Sequence, residues 1–219
     1  MYSYTEENYL KTIYKLSSQD IDAVSTNAIA EVLQTKAASV TDMMKKLADK
    51  NLVNYAKYKG VALTEKGRKV ALDTVRKHRL WECFLYDKLN FGWDEVHEIA
   101  EQLEHINSEA LTDKLDEFLD FPTHDPHGDP IPTKNGVVKK SNFILLSEAK
   151  LNQNLVMTGV ADHSAAFLQH LDKVGLVLGT AIVITDKSEY DGSVTVNLSD
   201  DKTLHFSKDV VKNIWVKVK

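Results

Sequence analysis

Cysteine is almost missing: Cys83 stands alone among 219 residues. That excludes an internal disulfide framework and any cysteine-rich zinc site. Proline is nearly as scarce, and all four prolines fall between Pro122 and Pro132. No apolar run approaches the roughly 18–20 residues needed to span a bilayer. Met1–Glu7 has no basic stretch leading into an apolar one, so it does not read as a secretory signal. The chain is expected in the cytoplasm, with no membrane partner. No glycine-rich phosphate cradle is present, and Ser39 and Cys83 stand apart from any base that could activate them.

An excess of positive charge is also missing, since the formal net charge is -5. That argues against a generic polyanion binder. The charge is unevenly spread, however: residues 1–80 hold 14 Lys/Arg against 9 Asp/Glu, and the rest hold 13 against 23. A basic N-terminal third on an acidic body suggests that one domain meets nucleic acid.

That third has the elements to do so. From Thr5, read as a helix cap, Tyr9, Leu10, Ile13, Tyr14 and Leu16 form a helical apolar stripe to residue 17. Ser25-Thr26 opens a second helix, with Ala28, Ile29, Val32 and Leu33 facing in. A break at Gln34–Lys36 precedes a third helix from Ala37 to Lys50. Residues 52–63 then read as a β-hairpin with a Gly60-containing tip. Three helices and a hairpin make a winged helix-turn-helix, expected over residues 1–64. Thr26, Lys36, Ala38, Ser39 and Thr41 sit where a recognition helix contacts base edges. Lys45, Lys46, Lys57 and Lys59 are placed for phosphates.

Residues 65–132 read as helical: one long helix from Glu65 to about Leu89, a second from Asp94 to Ile106 and a third from Ser108 to Leu119. Their apolar residues exceed one face, which suggests a dimer interface. The proline segment reads as a rigid connector, with His124 and His127 as solvent or turn histidines. Residues 133–155 read as a polar, mobile linker. Short strands at 181–184, 194–198, 203–206 and 214–218 suggest a small SH3-like β-barrel over 156–219. The fold class is thus mainly α with small β parts.

The chemistry falls on two helices. His97, Glu101, Glu104 and His105 follow one another at i, i+4, i+7 and i+8, on one helical face. His78 and Glu82 form an i,i+4 pair on the preceding helix. Imidazoles and carboxylates on facing helices are how bundles hold divalent metals. A ligand set of nitrogen and oxygen without thiolate suits Mn, Fe(II), Co, Ni or Zn. Singly, such pairs are usually surface contacts; six potential ligands on two adjacent helices favour a metal site. The same ligands leave open a metallohydrolase, or a winged-helix scaffold with a structural metal.

The run Arg76-Lys77-His78-Arg79-Leu80-Trp81-Glu82, then Val96-His97-Glu98 and Glu101-Gln102-Leu103-Glu104-His105, resembles the diphtheria toxin repressor family of metal-dependent regulators. Glu7–Tyr14 and Asp125–Pro132 are similar to that family too. The resemblance implies a winged helix, a helical dimerisation domain and a C-terminal SH3-like domain of the FeoA type. It implies a homodimeric repressor that binds double-stranded operator DNA when Mn(II) or Fe(II) is abundant, Mn(II) being favoured by the sulfur-free ligands. It places His78, Glu82 and His97 in an ancillary metal site. Glu101, Glu104 and His105 fall in a primary site completed from the first helix at Asn8, where the family usually has Met or Asp. Lys11 stands where some manganese sensors place a further carboxylate, which favours separate sites over a two-metal arrangement. Asp162 or His163 matches ligands that the SH3-like domain can lend. In this reading, metal ties Asn8 to the helical domain, and without it the bare carboxylates repel one another.

Overall fold

The computed structural model describes residues 2–17, 23–56, 59–139, 141–198 and 202–219. Lys57, expected at the DNA backbone, lies outside the described residues. The chain divides into two compact units. The first holds residues 1–78, 101–114 and 132–138, and the second holds 79–100, 115–131 and 139–219.

Helix α1 (Tyr4–Ser17) begins with a reciprocal cap. Ser3 Oγ accepts from the Glu6 amide at 3.3 Å, and the Glu6 carboxylate accepts from the Ser3 amide at 3.1 Å. This is a capping box with Ser3, rather than Thr5, as the cap. Helix α2 (Thr26–Val32) is capped by Ser25, whose hydroxyl accepts from the Ala28 amide. The chain turns at Gln34, at φ 49°, into α3 (Ala37–Asp49). Strands β1 (Val53–Ala56) and β2 (Gly60–Leu63) pair antiparallel as the wing. Leu10, Ile13, Ile29, Val40, Met44, Leu47, Leu52 and Val61 are fully buried in one core. The helical stripes read from the sequence therefore point at one another, which is what holds the helix-turn-helix in place.

Helix α4 (Glu65–Leu89) follows, then α5 (Val96–Leu103) and α6 (Glu109–Phe118). Helix α5 ends before the expected residue 106. Glu104 and His105 fall in the turn that closes it, because Ser108 caps the next helix through the Leu111 amide.

The second unit carries an antiparallel six-stranded sheet in the order β3-β8-β4-β5-β6-β7. Its strands are β3 (Ile144–Leu145), β4 (Asn154–Val160), β5 (Ala181–Lys187), β6 (Val194–Leu198), β7 (Thr203–Phe206) and β8 (Ile214–Val218). Helices α7 (Ala165–Val174) and α8 (Lys208–Val211) complete it. Leu146, Leu155, Met157, Leu168, Leu171, Ile184, Val196 and Val216 are buried in its core. The segment expected as a linker thus already contributes a strand and the buried Leu146 and Ala149. Among the described residues, no helix is long and apolar enough to cross a membrane.

Candidate metal centres and DNA-reading surface

In the first unit, α1 brings Glu7, Asn8 and Lys11 to one face, since residues three and four apart are helical neighbours. Glu7 and Lys11 meet the residues at the end of α5, where His78 of α4 also reaches Glu104. Glu104 is wholly buried, and Glu7, Lys11, His78 and His105 are each at most 5% exposed. The Lys11 ammonium sits among the carboxylates, with Nζ 2.5 Å from Glu101 Oε1 and 2.7 and 2.8 Å from the two oxygens of Glu104. His78 Nδ1 lies 2.6 Å from Glu104 Oε2, and His105 Nδ1 lies 2.6 Å from Glu7 Oε2. His105 Nε2 faces Glu104 Oε1 at 3.7 Å, while its ring stacks on Tyr4 at 4.5 Å between centroids. Asn8 Oδ1 is buried and accepts no hydrogen bond. An orphaned acceptor of this kind normally has a reason. Here it belongs to the residue three before Lys11 and next to Glu7, the two α1 residues that contact Glu101, Glu104 and His105.

The carboxylates were expected to repel one another without metal. Lys11 changes that, because its ammonium already neutralises part of their charge.

The second unit holds another cluster. Glu82 Oε1 on α4 lies 3.2 Å from His97 Nδ1 on α5 and 3.6 Å from His127 Nδ1. His127, expected as a turn or solvent histidine, is completely buried. Its Nε2 lies 2.7 Å from the Trp93 carbonyl, an acceptor only, so Nε2 carries the proton and donates. That leaves Nδ1 directed at Glu82 and without a hydrogen bond. Asp125 Oδ1 accepts from the amides of His127 and Asp129, at 2.9 and 3.0 Å. Its Oδ2 is buried without a hydrogen bond, with Arg79 Nε at 3.4 Å. Glu82, Asp125 and His127 present ligand atoms that all lie within 4.8 Å of one another, a spacing that suits one cation. Burial, then the charges of Glu82 and Asp129, raises the Asp125 pKa to about 7. Burial alone would lower the His127 pKa, but the Glu82 carboxylate outweighs it and lifts it to about 9.

Gly128 is what seats this loop. At φ +90° it packs so closely on β4 that an added Cβ would fall 2.1 Å from the Thr158 carbonyl oxygen. The Val160 amide then donates to the His127 carbonyl at 2.9 Å. His163 stacks on His127 at 4.5 Å and lies edge-on to His97 at 6.4 Å. Asp162 is turned to the Ser164 amide, at 2.9 Å. Asp125 and His127, which could hold a cation with Glu82, were not singled out as candidate ligands in the sequence; the signal was Asp125-Pro126-His127-Gly128, a glycine beside a histidine in the one proline-rich segment.

Cys83 is buried, its thiol 3.6 Å from the His124 carbonyl. Burial pushes its pKa well above the usual thiol range, so it is no nucleophile. On the DNA-reading side, Lys36, Ala38, Ser39, Lys45, Lys46 and Lys59 are exposed, and Thr26 and Thr41 half-buried. Lys45 pairs with Asp42 at 3.1 Å, and Thr41 donates to the Ala37 carbonyl.

Residues 1–61 match the family model "Iron dependent repressor, N-terminal DNA binding domain". Residues 64–133 match "Iron dependent repressor, metal binding and dimerisation domain", and 144–218 match "FeoA domain". The iron-dependent repressor IdeR of Mycobacterium tuberculosis is 38% identical over 128 residues, 58% of this chain and 55% of that protein. The chain thus spans about half the length of the curated relatives it matches. A solved structure described as a manganese-dependent transcriptional repressor in complex with manganese is 33% identical, with a TM-score of 0.88 over 98% of this chain and 100% of the other. ScaR with bound zinc is 31% identical, with a TM-score of 0.80 over 98% and 99%.

Proposed function

Since the chain belongs to the iron-dependent repressor family, whose members are transcriptional regulators, we propose that it is a metal-dependent repressor that binds operator DNA as a homodimer. The observation that carries this is the first-unit cluster. Glu101, Glu104 and the His105 imidazole gather about Lys11 of the first helix of the winged domain, and that helix carries the orphaned Asn8 oxygen three residues before Lys11. Asn8, Glu101, Glu104 and His105 would hold a divalent ion as the primary site. The donors fit: all are oxygen or nitrogen, and their charge is carried by two carboxylates. That hard set suits Mn(II), with Fe(II) as the alternative. A bound ion would supply electrostatic cross-linking between α1 and the turn after α5. His78 orients Glu104 through its 2.6 Å contact.

We assign the ancillary site to Glu82 and His97 together with Asp125 and His127. His163, stacked on His127, lies at its margin, while Asp162 is engaged by the Ser164 amide. Fixing α1 against the turn after α5 would set the presentation of α3. In a two-fold dimer, two such helices read successive major grooves roughly 34–36 Å apart. Thr26, Lys36, Ala38, Ser39 and Thr41 would meet bases, and Lys45, Lys46, Lys57 and Lys59 phosphates. Metal and operator must then strengthen each other's binding by the same factor.

The test is an operator-binding titration of metal-stripped protein with Mn(II) and, without oxygen, Fe(II), at one salt concentration because salt alone shifts affinity. Binding that requires metal supports the proposal, and the lower activating concentration identifies the better activator. Equally tight binding without metal rejects metal dependence.

A further inference from the structure

Lys11 is a buried cation with three carboxylate oxygens within 2.8 Å. Two of the three belong to Glu104 and the third to Glu101, the two acidic residues of the primary site proposed above. Among the described residues, no other lysine has so many carboxylate contacts while so deeply buried. We propose that Lys11 is an internal counter-cation, which holds the carboxylate pair when metal is absent and must be expelled when metal binds. The inference rests on the primary-site reading and adds the residue that sets its threshold.

The argument is one of charge and space. A divalent ion sits about 2.0–2.2 Å from carboxylate oxygens. The same oxygens already face the ammonium at hydrogen-bond distance, and two cations cannot share them at that range without strong repulsion. The ligand set of Asn8, Glu101, Glu104 and His105 carries two negative charges, which a divalent ion cancels and a lysine only halves. Asn8 Oδ1 accepts no hydrogen bond with the lysine in place, so it gains a partner only on exchange. The exit is at Glu101, whose side chain is 33% exposed and opens the otherwise buried cluster to water. The four-carbon stem of lysine lets its ammonium swing that way. Lys11 also ties α1 to residues 101 and 104 without metal, so the metal-free first unit stays assembled.

The test is direct metal binding by the metal-stripped full chain, read from the electron paramagnetic resonance signal of free Mn(II), together with melting of the metal-free protein. Lys11→Met should bind Mn(II) at least about tenfold more tightly at the Glu104-dependent site, a coupling of ordinary size for linked sites. Its metal-free form should melt earlier, and Lys11→Arg should stay near the parent in affinity. If Lys11→Met folds only when Mn(II) is added, the counter-ion role is supported. If it stays unfolded with Mn(II), or folds and binds no more tightly than the parent while Glu104→Gln abolishes binding, the lysine proposal is overturned and the site stands. If the parent has no Glu104-dependent Mn(II) binding, the site reading falls, and this inference with it.

Discussion

Glu104→Gln removes one charge from the centre of the first-unit cluster and almost nothing else. The carboxylate is wholly buried, receives Lys11 on both oxygens at 2.7 and 2.8 Å, and faces His78 at 2.6 Å. Breaking a buried ion pair by removing one partner costs about 3–5 kcal/mol, because the other charge is left uncompensated. Here Lys11 keeps Glu101 at 2.5 Å, which is partly exposed, so the loss is smaller, about 2–3 kcal/mol. In a chain of this size each kcal/mol moves the midpoint by roughly 2–4 °C. Metal-free Glu104→Gln should therefore melt about 5–10 °C below the parent in calorimetry. Added Mn(II) should raise the parent's midpoint and leave the variant's first transition in place, because a ligand stabilises only the fold that binds it. A metal-free midpoint within a degree of the parent would refute the electrostatic account of this cluster. A full Mn(II)-induced upshift in the variant would refute Glu104 as a ligand.

Asn8→Asp adds a third carboxylate beside the cluster and should tighten Mn(II) binding at the primary site, measured by free-Mn(II) titration; unchanged affinity would take Asn8 out of the ligand set. Gly128→Ala drives a Cβ into the Thr158 carbonyl at a positive φ and should cost about 3 kcal/mol or more, with loss of second-site metal and retention of the first, read by metal content per chain. The second site should also bind more tightly as pH rises. His127, lifted to about 9, contributes stability that is complete below its unfolded value and lost as pH climbs through 9, and Asp125, lifted to about 7, behaves likewise through 7. A ligating metal must displace those protons, so affinity should climb about tenfold per pH unit near pH 8 with proton release in calorimetry; a flat profile would remove His127 from the site. Lys46→Ala should weaken DNA binding uniformly across sequences and lower the salt slope by about 1, whereas Ser39→Ala should alter sequence preference with the slope unchanged.

The local features of this fold were legible because they depend on local periodicity. The stripes of α1 and α3, the Ser25 cap, the wing and the long α4 all declare themselves within a few turns of chain. The acidic and imidazole residues of α4 and α5 also stood out by spacing. The misses are long-range. β3 has only two residues, too short for any alternation to show, and it exists because it pairs with β8 seventy residues on. His127 looked like a turn histidine because a proline segment is normally exposed. What buries it is the seat of Gly128 on β4, thirty residues away, which no local pattern encodes. Lys11 reads in the sequence only as standing where a further carboxylate could be; that it reaches into the carboxylate pair was not legible, because its partners lie 90 and 93 residues along the chain.

The residues that sequence reading valued least explain how such clusters stay folded. Buried carboxylates without counter-ions would neutralise or unfold their surroundings. Each unit instead carries its own cation: Lys11 among Glu101 and Glu104, and Arg79 beside Asp125 and Asp129 at 3.4 and 2.8 Å. A structural metal domain needs no such device, since it is unfolded without its ion and never populates a stable empty state. A sensor does need one, because its output is the difference between a folded empty state and a folded loaded one. Internal cations at both clusters therefore favour the regulator over the scaffold with a structural metal. They also fix where its sensitivity lies: in the balance between a tethered charge and a free one, which Lys11→Met shifts in one direction and Asn8→Asp shifts in the same direction through the other partner.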